Sequence, residues 1–202
     1  MRTIELFCGT KSFSKVADAL GHSTFTVDND PSFVPTMLAD IRYWTPPRGG
    51  ADVLWASPPC QGFSVAAIGR NWNKDYTPKT DSARLSMALV VRTLELIEEI
   101  RPKWFFIENP RAMLRKLPYL QHLRRVTISY CQYGDTRMKP TDIWTNVPEE
   151  MWMPRPMCKP RATCHESAPR GTKTGTQGLK GAEARGAIPP ELFQEIFRSL
   201  TP

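Results

Sequence analysis

Cys60 stands in Ser57-Pro-Pro-Cys-Gln-Gly-Phe-Ser64. Two prolines before it and Gln-Gly after it describe a stiff polar turn rather than the inside of a strand. Most free cysteines are small core hydrophobes. One held on a rigid turn instead presents a thiolate for attack on an electrophilic carbon. Glu108 follows the apolar run Lys103-Trp-Phe-Phe-Ile107. A carboxyl at a buried strand end either caps the next loop or keeps its proton and serves as an acid. Cys158, Cys164 and His165 form Cys-x5-Cys-His, with Cys131 as a possible fourth zinc ligand. Structural zinc ligands usually come in tighter pairs. The expectation is therefore no bound metal and two ordinary loop cysteines.

These residues need elements to hold them. Residues 3–8 read as a buried strand, and 12–20 as a helix with Phe13, Val16, Ala17 and Leu20 on one side. Further strands are expected at 23–27, 52–56, 103–107, 126–131 and 143–145. Helices are expected at 32–39, 84–100, 117–124 and 190–200. The long one carries Leu85, Leu89, Val90, Leu94, Ile97 and Ile100; two prolines open the last. Residues 71–82 read as a mobile polar stretch. Strands alternating with helices predict an α/β domain with a mainly parallel sheet. Polar clusters just past four strands, after Cys8, at Asp28, after Ala56 and at Glu108, match the place where ligands bind such sheets.

Charge narrows the partner. The chain of 202 residues carries a net +7, which favours a polyanion such as nucleic acid. Between Arg155 and Arg185, seven Lys/Arg face two Glu in a Gly/Thr/Pro-rich stretch. The run Arg170-Gly-Thr-Lys-Thr-Gly175, with Lys180 and Arg185, suits phosphate contact. Five cysteines without framework spacing argue against a disulfide scaffold. No membrane span and no signal-peptide layout are expected. The expectation is a cytoplasmic monomer, in a bacterial or phage-infected cell.

Pro58 to Ser64 resembles the catalytic motif of the cytosine-5 DNA methyltransferases over seven consecutive residues. Other stretches follow in that family's order: Glu5-Leu-Phe-Cys-Gly9, Asp28, Ala39-Asp40-Ile41, Phe106-Ile-Glu108-Asn109, Tyr133-Gly134 with Arg137 and Lys139, and Ala187-Ile-Pro-Pro-Glu-Leu192. The resemblance implies a Rossmann-like S-adenosylmethionine-dependent methyltransferase fold with helices on both sheet faces. It implies a catalytic domain over 1–146, a recognition segment of only about forty residues over 147–186, and a return to the catalytic domain over 187–202. That reduced segment is similar to those of small, phage-like stand-alone members.

The resemblance also assigns roles. Cys60 adds to carbon 6 of cytosine, Glu108 serves nitrogen 3, and Arg137 or Lys139 contacts the base carbonyl. S-adenosylmethionine is met by Phe7, Gly9, Thr10, Asp28, Asn29, Asp40, Ile41, Pro59 and Leu89. Double-stranded DNA, its target cytosine flipped out, is met by Gln61, Ser64, Arg70, Lys173, Lys180 and Arg185. The loop Arg70-Asn-Trp-Asn-Lys74 either lies solvated or closes over the extruded base, with Trp72 filling the gap. Cytosine-5 methylation of RNA, a catalytically silent DNA-binding relative and a zinc-dependent nucleic-acid module are the competing functions.

Overall fold

The computed structural model describes residues 1–47, 49–159, 162–166, 179 and 181–201. Seven strands form one sheet: β1 (Arg2–Leu6), β2 (Ser23–Asp28), β3 (Met37–Leu38), β4 (Val53–Ala56), β5 (Trp104–Pro110), β6 (Arg124–Ser129) and β7 (Pro140–Thr145). Their order is β3-β2-β1-β4-β5-β7-β6. All neighbours pair in parallel except β7, which runs antiparallel to both β5 and β6.

Register decides where the chemistry sits. Leu6 lies opposite Val27 and Ala56, and Ala56 opposite Ile107. One residue further along each strand come Phe7, Asp28, Ser57 and Glu108, so parallel pairing aligns four distant polar clusters in one row. Reversal of β7 delivers a fifth: Thr141 lies opposite Pro110, so Lys139, just before β7, reaches the same edge.

The α-helices among the described residues are α1 (Ser12–Ala19), α2 (Ile68–Asn71), α3 (Asp81–Ile100), α4 (Ala182–Gly186) and α5 (Pro190–Leu200), and each face of the sheet carries its own core. On one face Leu6, Leu54, Phe105 and Ile107 pack under α3 (Asp81–Ile100). Thr80 starts that helix by accepting the Ala83 N–H at 3.3 Å, three residues before the sequence-based start. Val90, Thr93, Leu96, Ile97 and Ile100 are buried at helical spacing. Leu85 is 44% exposed, away from the core assigned to it. On the other face α1 (Ser12–Ala19) and α5 (Pro190–Leu200) cover Val53, Trp55 and Phe106. Phe13 meets Phe193 and Phe197 at ring-centroid distances of 5.5 and 5.2 Å. Leu20 ends α1 half-exposed rather than joining this core.

Three expectations fail for local reasons. Residues 32–39 form a 3-10 turn, Pro31–Phe33, and then β3. Asp30 caps the Ser32 N–H at 2.9 Å, and Val34 turns left-handed at φ 48°, which stops any helix there. Residues 117–124 hold the 3-10 turn Pro118–Leu120, and β6 already begins at Arg124. Leu117 and Leu120 are both buried, a spacing of three that a 3-10 turn serves as well as an α-helix does. The stretch 71–82 starts with Asn71 and Trp72 buried, bridges Trp72 to Pro78, and ends inside α3.

Candidate active site

The turn bearing Cys60 is fixed from three sides. Asn109 Nδ2 donates to the Pro58 carbonyl at 2.8 Å, tying the turn to the end of β5. The Phe63 N–H closes back on the Cys60 carbonyl at 3.0 Å. Gly62 lies so close to α3 that a Cβ there would come within 2.3 Å of Ser86 Oγ. Its carbonyl accepts from Asn71 Nδ2 at 3.1 Å and from Trp72 Nε1 at 2.8 Å. Trp72 also stacks on Phe63 at 5.8 Å. Trp72 is therefore a buried brace of the cysteine turn, not an outward ring poised to fill a gap in DNA. Its apolar role was masked by polar neighbours in the sequence. Of the residues expected to meet DNA on this loop, Gln61 and Arg70 are exposed and Ser64 is half-buried.

Beside the thiol sit buried Glu108 and Tyr130 with half-buried Lys139. Tyr130 Oη donates to Glu108 Oε1 at 3.1 Å. Lys139 Nζ donates to Tyr130 Oη at 3.4 Å and to the Arg185 carbonyl at 2.9 Å. It also lies 4.5 Å from the centre of the Tyr130 ring. Burial raises the Glu108 carboxyl above its usual range, against the pull of Lys139 and the hydrogen bonds from Tyr130 and Ser57. Burial likewise lowers Lys139, against the attraction of Glu108 and Cys60. Both groups are thus pushed toward neutrality while facing each other. Lys139 holds its position at φ 26°, and Phe7 across the row sits at φ 56°; such backbone in non-glycine residues clusters at functional sites.

Burial and then Glu108 push the Cys60 thiol up, while Lys139 and Arg185 pull it down. Lys139→Met is therefore expected to move the pH midpoint of Cys60 alkylation upward, followed by peptide mapping after iodoacetamide treatment. An unchanged midpoint would show that Lys139 does not support the thiolate.

Arg137 touches this group only through the Tyr130 ring, whose centre lies 5.5 Å from its guanidinium. Its guanidinium pairs with Asp135 and donates to the carbonyls of Ala184 (3.0 Å), Arg185 (3.3 Å) and Ala187 (2.9 Å). With all five N–H groups engaged, it clamps the chain leading into α5. Tyr130 was missed by sequence reasoning. Nothing local marks it beyond its position at the end of β6.

A second pocket opens on the other side of the cysteine turn. Phe7, Asp28, Asn29, Ala39, Asp40, Ile41, Arg42, Pro59, Leu85 and Leu89 line it. Seven of the nine residues expected at the cofactor are here. Asp28 is oriented by the N–H groups of Gly9 (2.9 Å) and Asp30 (3.0 Å). Asp40 pairs with Arg42, whose hydrogen bond holds the carboxyl below its usual range. Gly9 and Thr10 fall outside the lining: Gly9 serves Asp28, and the Thr10 hydroxyl bonds Ser12 at 2.9 Å. A larger groove between α1 and α5, at Lys15, Val16, Ala19, Leu20, Gln194 and Arg198, lies away from the row of strand ends.

Of the expected DNA-contacting cations, Arg185 is half-buried beside Lys139. Lys173 and Lys180, with Arg170 and Gly175, lie outside the described residues.

With this geometry in view, the likenesses to known proteins take on meaning. Residues 1–127 match the family described as C-5 cytosine-specific DNA methylase. The chain is 32% identical over 219 aligned positions to a protein of Frog virus 3 (isolate Goorha) named "Probable DNA (cytosine-5)-methyltransferase", covering 98% of this chain and 99% of that one. Among solved structures, an E. coli prophage protein described as a DNA modification methyltransferase superposes with a TM-score of 0.53 at 18% identity. That match covers 77% of this chain and 51% of the other. The Entamoeba histolytica methyltransferase EhMeth gives a TM-score of 0.52 at 12% identity, over 79% and 57%. These two likenesses concern the fold, and the chain spans little more than half the length of either.

Proposed function

This chain belongs to the C-5 cytosine-specific DNA methylase family, and on that premise we propose that it methylates carbon 5 of a flipped-out cytosine in DNA through a covalent Cys60 adduct at carbon 6. The observation that carries the reading is the grouping of Cys60, Glu108 and Lys139 at one sheet edge.

The chemistry follows from the ring. Carbon 5 of cytosine is a weak nucleophile. The Cys60 thiolate adds to carbon 6, and the electrons of the 5,6 double bond shift onto carbon 5 and the ring. Glu108, its carboxyl raised above the usual range by burial, gives nitrogen 3 a proton or a short hydrogen bond as charge develops there. Lys139 steadies the thiolate beforehand and is the cation nearest the base carbonyl. S-adenosylmethionine, when bound, would supply the methyl group that carbon 5 takes, its sulfur–methyl bond breaking to leave the thioether S-adenosylhomocysteine. Loss of the carbon 5 proton to a base then re-forms the double bond and breaks the carbon–sulfur bond, returning the thiolate. A base inside a duplex cannot reach a thiol held this way, so extrusion is part of the reading. Gln61, Ser64, Arg70 and Arg185 are the residues proposed to meet the DNA around that base.

The second pocket fits an adenosine. Its apolar walls, Phe7, Ile41, Pro59 and Leu89, suit a flat base, and a pre-oriented Asp28 carboxylate suits a ribose diol. Asp28→Ala is expected to weaken S-adenosylmethionine binding by about ten- to hundredfold, the worth of a charged hydrogen bond. Calorimetry checks this. Unchanged affinity would move the ribose contact elsewhere. Asp30, the next acid, is exposed and already committed to capping Ser32.

Bisulfite sequencing of DNA from cells expressing the protein tests the function directly. Unconverted cytosines in a recurring short context are expected with the native chain and not with Cys60→Ala. Methylated RNA beside unmodified DNA would transfer the reading to the RNA alternative.

A further inference from the structure

Cys131 stands well before the Cys158-x5-Cys164-His165 run in sequence, yet the ligand atoms of all four lie within 4.8 Å of one another. We propose that these four residues hold one zinc ion, which staples the start of the basic segment to the catalytic edge.

The distances carry the proposal. Cys131 Sγ and Cys164 Sγ are 3.6 Å apart. His165 Nδ1 lies 3.6 Å from Cys164 Sγ and 3.7 Å from Cys158 Sγ. A tetrahedral zinc with ordinary bond lengths has S···S edges of about 3.8 Å and S···N edges of about 3.6 Å. These three edges already have the dimensions of a zinc tetrahedron, and every remaining ligand pair lies within 4.8 Å. Three thiolates and one imidazole complete four-coordination, so the site is closed and structural rather than catalytic. Soft sulfur donors favour zinc over magnesium or calcium. On binding, the three thiols release their protons to solvent.

The surroundings suit a held site. Gln132 Nε2 points its N–H groups at Cys164 Sγ (3.4 Å) and Cys131 Sγ (3.8 Å), as outer-shell donors to thiolates do. The Cys158 N–H bonds Ser129 Oγ at 3.3 Å, and the Glu166 N–H bonds the Thr136 carbonyl at 2.9 Å. Both flanks of the cysteine segment are thereby fastened to the end of β6 and the turn after it. A disulfide explains less. It requires two sulfurs at about 2.05 Å, and it leaves the other thiol and the imidazole without a task. Sequence spacing argued against a metal because Cys131 comes from a different part of the chain. Only the fold brings it to the other three.

The staple also has a place in the function. Cys131 adjoins Tyr130, which bonds Glu108. His165 immediately precedes the chain that carries Arg170, Lys173 and Lys180. Zinc would fix where that cationic run leaves the domain, while the Arg137 clamp fixes where it returns. This consequence for DNA rests on the proposed function. The metal site does not.

The test uses the full chain, free of metal-binding tags, purified from zinc-supplied cells. Elemental analysis should find about one zinc per chain. Cys164→Ser, which changes the exposed member of the four, should lower bound zinc by about tenfold or more. Cys8→Ala should leave it unchanged. Cobalt exchanged into the native protein should show the visible bands of a tetrahedral thiolate site. Those bands should vanish in Cys164→Ser, a readout independent of catalysis. Native protein that takes up neither zinc nor cobalt overturns the proposal. So does full zinc in Cys164→Ser, or a Cys131–Cys164 disulfide in the protein as isolated under reducing conditions.

Discussion

Cys60→Ala is expected to reduce methyl transfer to DNA on the order of 10⁴-fold or more, the scale seen when a covalent nucleophile is removed. No neighbouring group can take over. Cys8 is buried at the end of β1, its thiol pushed up to about 12 mainly by burial. The turn should survive the change. Its shape is set by Asn109 on the Pro58 carbonyl, by the Gly62 contact with α3 and by Trp72, none of which uses the sulfur. Cofactor affinity should therefore stay within a few-fold of native, because the Asp28 pocket is intact. Transfer of labelled methyl groups to duplex DNA, with calorimetry on the same preparation, measures both. Activity within tenfold of native would mean that the thiol is not the nucleophile.

Glu108→Gln is expected to slow transfer by about 10² to 10⁴-fold, the usual reach of a positioned general acid. Shape and the contact with Tyr130 are largely kept; the ionisable proton is lost. The pH dependence supplies a second readout. A carboxyl raised by burial keeps its proton above the usual range, so the native rate should fall as pH rises through that raised value. The Cys60 thiol, also raised, asks for higher pH. The native profile should thus have two limbs, and Glu108→Gln should lose the alkaline one. Stability runs in a direction that separates the roles. A carboxyl whose folded-state pKa is raised destabilises the fold once ionised, so stability falls as pH rises through it. Glu108→Gln removes that penalty and should be at least as stable as native at alkaline pH. Loss of stability at every pH together with near-normal turnover would reduce Glu108 to a support for Tyr130.

Much of the site was legible because its parts are local. The turn 57–64 announces itself through prolines and a glycine, and each strand end is marked by the switch from apolar to polar residues. The last helix was legible from Pro190 onward because Leu192, Phe193, Ile196, Phe197 and Leu200 repeat at helical spacing. What stayed hidden depends on pairing between distant segments. Antiparallel β7 is what brings Lys139 to Glu108, and no local pattern in residues 140–145 states its direction. Tyr130 and Arg137 take their roles from neighbours 22 and about 50 residues away. The cysteine cluster hid for the same reason. Trp72 and the segment 32–39 failed differently. Composition left the Trp72 loop open between a solvated stretch and a lid and favoured a helix over 32–39, while Gly62 and Phe63 buried the ring and two prolines with a left-handed Val34 broke the helix.

The covalent step can be observed directly. DNA carrying 5-fluorocytosine accepts the thiolate at carbon 6 and the methyl group at carbon 5. The fluorine then takes the place of the proton that must leave, so elimination stalls. Native protein, incubated with such a duplex and S-adenosylmethionine, should yield a complex that survives denaturation. Mass spectrometry should place the modified base on the peptide containing Cys60, and Cys60→Ala should give no complex. A denaturation-resistant complex formed equally by Cys60→Ala, or a native enzyme that methylates ordinary DNA yet never traps the fluorinated duplex, would contradict the account.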